Sequence, residues 1–278
     1  MGSLLTFFSI TYIVSWACFI GAATVSGGIA SPLSGLARLR GPIYLLGVFV
    51  PSLVALALTA RADGRAGTHA LLRRIVELPA GGRWYVFAIG YMAAVKLVAA
   101  LLHRLAIGAW PPFGQTPLYL MAVAVIFSTP VQAGEEIGWR AYALPRLAQH
   151  LGLRRASVVL GVIWACWHLP FFFIPGSDNA GQSFPVFLLA VTALTVAMSW
   201  LYWRTNESLF ITMLMHAAVN NTTGIVPAPV SVSAAINPFT LSTSLVAWLT
   251  AMLLWIGAVY FLIRMRSVTL RHSWACGG

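Results

Sequence analysis

The chain has 278 residues, of which 59% are hydrophobic and only 8% charged, against about 25% charged in an ordinary soluble domain; a soluble globular protein is excluded. Its net charge of +11 does not mark a nucleic-acid binder, because the arginines are scattered over short connections and form no basic face interleaved with aromatic residues. Continuous apolar runs of about 20 residues, without the polar–apolar alternation of barrel strands, read as membrane-crossing helices.

Taken in order, the first apolar run covers residues 4–25 and ends in a Gly/Ser/Pro-rich stretch, 26–34. The second begins at Gly41-Pro42 and continues to Ala60, followed by a basic connection, 61–83, whose middle (69–78) reads as a short amphipathic surface helix. The third, 84–103, contains the chain's single lysine, Lys96, which either snorkels or meets a carboxylate. A Pro/Gly-rich turn, 109–117, leads into the fourth, which starts at Leu118 and carries Glu135 and Glu136 toward its far end. The fifth to eighth follow at 157–174, 184–203, 208–225 and 241–263. The expected fold class is all-α: a polytopic integral membrane protein with about eight transmembrane helices, forming a single membrane domain over residues 1–278. Cys18, Cys166 and Cys276 are widely separated, with no CxxC pair, so neither a disulfide framework nor a zinc knuckle is expected.

The eight runs give an orientation test. Connections after even-numbered runs hold twelve arginines, including Arg74, Arg146, Arg204, Arg264 and Arg271, whereas the opposite side holds Arg38, Arg40 and Arg104. An excess of positive charge marks cytoplasmic loops, so both termini are expected in the cytoplasm. No internal repeat is visible, and a transporter built from inverted halves gains no support.

Six acidic residues are present, and two of them adjoin in Gly134-Glu135-Glu136-Ile137-Gly138-Trp139-Arg140. A charged side chain at membrane depth costs about 2.5–3.5 kcal/mol on insertion scales and is usually functional or paired. Glu136 and Arg140 are four apart with the acid first, the favourable order for a same-face pair; Glu135 then points about 100° away as the uncommitted carboxylate. His168 lies about 17 Å along its helix, His216 about 14 Å and Glu135 about 18 Å from the same membrane face, at 1.5 Å per residue. Asn220 shares a helix face with His216, and Trp164 lies one turn from His168. Taken singly, each has a structural reading: an interhelical hydrogen bond for a histidine, or helix–helix attachment for an asparagine next to Asn221. Taken together, they are parts for amide hydrolysis without a serine or cysteine nucleophile. A carboxylate and an imidazole can activate a water, while a second imidazole and an amide can donate to an oxyanion.

Glu135-Glu136-x-x-x-Arg140, then Trp164-x-x-x-His168, then His216-x-x-x-Asn220 resembles the three-motif signature of the CPBP intramembrane proteases. That family, also called Abi, groups CAAX prenyl endopeptidases with bacteriocin-processing and immunity proteins. The likeness covers about residues 117–223, and Trp164 stands where the motif usually has phenylalanine. It implies a glutamate-dependent endopeptidase without a cofactor, in which Glu135 and His168 activate the water, His216 and Asn220 form the oxyanion hole, and Glu136, Arg140 and Trp164 support the site. Implied partners are a peptide or lipid-modified protein substrate and membrane lipids. The implied location is a prokaryotic plasma membrane, with the site opening toward the cytoplasm. Two rival readings are a metalloprotease with zinc on Glu135, His168 and His216, and a non-catalytic immunity or scaffold protein.

Overall fold

Runs of Leu, Val, Ala and Phe give the helices, the second with Pro51 in its interior, and serines start several of them. The hydroxyl oxygens of Ser183, Ser208 and Ser244 accept from the backbone N–H groups of Val186, Ile211 and Ala247 at the heads of three helices. The computed structural model describes residues 2–25 and 39–266; the Gly/Ser/Pro-rich stretch 26–34, Arg38, Arg271 and Cys276 lie outside the described residues. In chain order the helices are α1 (Gly2–Val25), α2 (Arg40–Arg73), α3 (Arg83–Ile107), α4 (Leu118–Ser128), α5 (Ala133–Glu136), α6 (Leu144–Trp167), α7 (Phe184–Arg204), α8 (Leu209–Thr222), α9 (Val232–Ile236) and α10 (Leu245–Arg264). A π-helical stretch, Ile137–Ala143, joins α5 to α6. No strand occurs among the described residues. The protein is an all-α polytopic membrane protein.

Among the described residues five helices, α1, α2, α3, α7 and α10, are long and apolar enough to cross a membrane, and a sixth crossing results if α4 and the run Pro130–Trp167, bent by 41°, count as one. About eight crossings were expected from hydropathy, and two features lower the count taken by length and composition alone. The expected fourth and fifth runs are joined by a sharp reversal at Gly152 (φ 71°), a left-handed conformation that glycine adopts without a Cβ clash. The expected seventh is α8, only 14 residues long and almost wholly buried. The second run also extends beyond Ala60: α2 carries on to Arg73 with a break in direction at Gly64, because no proline intervenes before Pro79.

The connections sort into two groups by contact. Arg74 pairs with Glu207 between α7 and α8, and Arg146 lies 4.0 Å from Asp63. At the other end, Gly114 donates to Ile225 O (3.0 Å), Ser231 to Gly181 O (3.1 Å) and Phe184 to Pro238 O (2.8 Å). The segments therefore run alternately between two faces.

Between the faces, α1 is tied to α6 and α2 by polar contacts inside an aromatic core. The Trp16 indole donates to Trp167 O (2.9 Å) and Ser15 to Gly47 O (2.8 Å); Phe7, Trp139 and Trp167 pack edge to face. The residue preceding His168 is thus anchored on both its backbone and its ring.

Candidate active site

The four uncommon polar residues line one cavity of about 1010 Å³, which Glu135, His168, His216 and Asn220 enter from α5, the end of α6, and α8. At Thr129-Pro130 the chain bends, so the two glutamates stand at the start of a new helical segment and not at the end of α4. The π-helical turn follows at once. Such a turn widens the helix and is frequent at functional sites; here it places Arg140 back against Glu136.

Glu136 and Arg140 are fully buried and joined at 2.9 Å. The same Glu136 oxygen also meets His216 Nδ1 at 2.8 Å. The expected Glu136–Arg140 pair is therefore one half of a buried triad that also fixes the α8 imidazole. Arg140 is further held by Met198 Sδ (3.1 Å) and by the face of Trp164 (4.2 Å to the ring centroid). These contacts offset part of the cost of burying the pair, while Glu136 Oε2 and Arg140 Nε are left without a hydrogen-bond partner.

Trp164 does more than pack. Its indole N–H donates to Glu135 Oε2 at 2.8 Å, and the rings of His168 and His216 stand edge-on to it, at centroid distances of 5.4 and 5.2 Å. One side chain touches both imidazoles, the guanidinium and the free carboxylate. Phenylalanine would supply the ring contacts but not the donor.

The imidazole protons can be placed from their partners. His168 Nδ1 lies 2.8 Å from Trp164 O; a carbonyl only accepts, so Nδ1 carries the hydrogen and Nε2 presents a lone pair. His216 Nδ1 likewise faces a carboxylate oxygen and donates to it. The two neighbouring asparagines divide their work. Asn221 donates to Ser128 Oγ (3.0 Å) and Ala217 O (2.8 Å), fastening α8 to α4. Asn220 is exposed within the cavity and keeps its amide free.

Glu135 keeps only 6% of its surface exposed and His216 3%. Close approach of backbones makes this enclosure possible: a Cβ on Gly138 would lie 2.7 Å from the Pro51 backbone, and one on Gly134 would lie 2.8 Å from the Phe49 ring. Among the described residues no three His, Cys, Asp or Glu side chains are grouped to hold a metal ion. The residues singled out in the sequence meet at this cavity, but the sequence did not reveal the link between Glu136 and His216 or the donor role of Trp164; the only signal for the latter was a tryptophan in a position that phenylalanine fills elsewhere.

Comparison with known proteins falls on the same segment. The family model described as type II CAAX prenyl endopeptidase Rce1-like matches residues 114–222, the stretch that carries all seven site residues. A CAAX prenyl protease 2 from Methanococcus maripaludis is 25% identical over 238 residues, covering 77% of this chain and 81% of the relative. By both matches the chain resembles the CPBP/CAAX proteases. In this chain the matched segment is the part that assembles around Glu135, and the other helices frame it.

Proposed function

We propose that this membrane peptide hydrolase is a glutamate-dependent endopeptidase acting on lipid-modified protein ends. The observation that carries the reading is the convergence of Glu135, His168, His216 and Asn220 on one cavity, the first three each with one polar atom committed to a partner and Asn220 with its amide free. Glu135 takes a proton from a water whose second hydrogen is held by His168 Nε2. The oxygen adds to the scissile carbonyl carbon, and the new oxyanion accepts hydrogen bonds from the Asn220 amide and His216 Nε2. The carbon–nitrogen bond then breaks, and Glu135 returns its proton to the leaving amine. Each of these steps is general acid–base or electrostatic catalysis.

His216 donates from Nε2 only as an imidazolium, because its Nδ1–H is already given to Glu136. The name of the archaeal relative and the apolar side chains on the cavity wall, Leu120 and Met121 of α4 among them, support a prenylated substrate. The arginine bias supports a site reached from the cytoplasmic face of a prokaryotic plasma membrane.

The test is release of a C-terminal fragment from a farnesylated peptide by the protein in vesicles, followed by mass spectrometry beside the same peptide without the lipid. Cleavage of the lipidated form at the higher rate, unaffected by chelators, is expected. No cleavage of either peptide overturns the peptidase reading, and activity lost to chelation and restored by zinc overturns the glutamate mechanism.

A further inference from the structure

Lys96 is the chain's single lysine. It lies on α3 with 4% of its surface exposed, and among the described residues it makes no ion pair and no side-chain hydrogen bond. It lines the same cavity as Glu135, His168, His216 and Asn220. An amino group at membrane depth is costly and normally meets a partner, yet no carboxylate among the described residues pairs with it. Glu136 is spent on Arg140 and His216, and Glu135, tied to Trp164 through one oxygen, keeps the other for water.

Its position relative to the catalytic groups can be read from helix register. α3 and α8 start level, with the Tyr85 and Phe210 rings 6.5 Å apart, and run in the same direction, since Gly114 beyond α3 donates to Ile225 O beyond α8. Lys96 stands eleven residues past Tyr85, and His216 six past Phe210. At 1.5 Å per residue Lys96 is therefore about 7 Å further along the bundle. Three residues of extended peptide span about 10 Å. A substrate whose scissile carbonyl lies between Asn220 and His216, and which ends two or three residues later, brings its terminus to the lysine.

We infer that Lys96 receives the C-terminal carboxylate of the peptide substrate, so that the site selects chain ends. The inference rests on the peptidase reading. A phospholipid phosphate is held in the headgroup layer and cannot supply the anion at this depth, whereas a peptide bound across the catalytic groups carries its carboxylate in. That carboxylate shares a cavity with the charge of Glu135, and without a cation nearby it would be expelled. The lysine thus also explains how an acid-based protease tolerates an acidic product.

The experiment compares two peptides of one sequence, one ending in a carboxylate and one in an amide, cleaved by the wild-type protein, Lys96→Met and Lys96→Arg. The wild type is expected to favour the carboxylate by about tenfold or more in kcat/KM, the scale of a hydrogen bond to a charged group. Lys96→Met is expected to cleave the amide as well as the wild type does and to lose the preference, while Lys96→Arg keeps it. Equal rates on both peptides by the wild type, or an unchanged ratio in Lys96→Met, overturn the assignment of Lys96 alone. Failure of the wild type to cut either peptide overturns the peptidase reading and the assignment with it.

Discussion

The Trp164 indole N–H donates to Glu135 Oε2 at 2.8 Å, a hydrogen bond made by the motif residue that packing alone would have filled with phenylalanine. A donor aimed at one carboxylate oxygen fixes the rotamer and leaves the other oxygen for water. Trp164→Phe should keep the ring contacts and lower kcat by about tenfold, the scale of a hydrogen bond to a charged group, with little change in KM. Steady-state kinetics, with thermal unfolding as a control, checks this; an unchanged kcat would reduce Trp164 to a packing residue.

Glu136 and Arg140 should behave differently. Glu136→Ala leaves a fully buried guanidinium facing only a thioether and an indole, and releases His216. Breaking a buried pair from one side costs about 3–5 kcal/mol, so this variant should show poor yield and a large drop in Tm in detergent. A Glu136→Ala protein as stable as the wild type but inactive would instead make Glu136 a chemical participant.

Asn220 and Asn221 offer a contrast between adjacent amides. Asn220→Ala should lower kcat by about 10²–10³, as for loss of an oxyanion donor, and leave Tm unchanged. Asn221→Ala should spare the chemistry and cost about 1 kcal/mol through the lost bond to Ser128. Paired measurements of kcat and Tm decide; reversed effects would exchange the two roles.

Gly138 lies where the π-helical turn meets α2. A Cβ there would sit 2.7 Å from both the carbonyl carbon and the oxygen of Pro51, and backbone cannot yield as a side chain would. Gly138→Ala should therefore cost about 1–3 kcal/mol through overpacking and reduce activity by displacing Arg140. A variant with wild-type Tm would show that the two segments part easily.

Much of the site was legible because expensive residues are rare in an apolar chain. Six acids among 278 residues make an adjacent pair conspicuous, and the four-residue spacing of Glu136 and Arg140 reveals their bond. What spacing cannot reveal is contact between helices: nothing in the sequence links Glu136 to His216, 80 positions away. The same limit applied to the fold. Apolar runs located the long helices but not the short α9; Gly152 resembles an ordinary loop glycine until its left-handed φ turns α6 back on the preceding segment, and nothing in the run 208–225 shows that its helix, α8, has only 14 residues and is almost wholly buried. Asn221 and Asn220 could be told apart only once Ser128 was placed beside one of them.

The proposed mechanism turns on Glu135. The decisive measurement is single-turnover cleavage of a farnesylated peptide by Glu135→Gln, with thermal unfolding recorded on the same sample. The amide keeps the side chain's shape and can still accept from Trp164, so Tm should stay near that of the wild type while cleavage falls by about 10²–10⁴, the range for loss of a general base. A folded Glu135→Gln protein that cleaves at the wild-type rate would contradict the account.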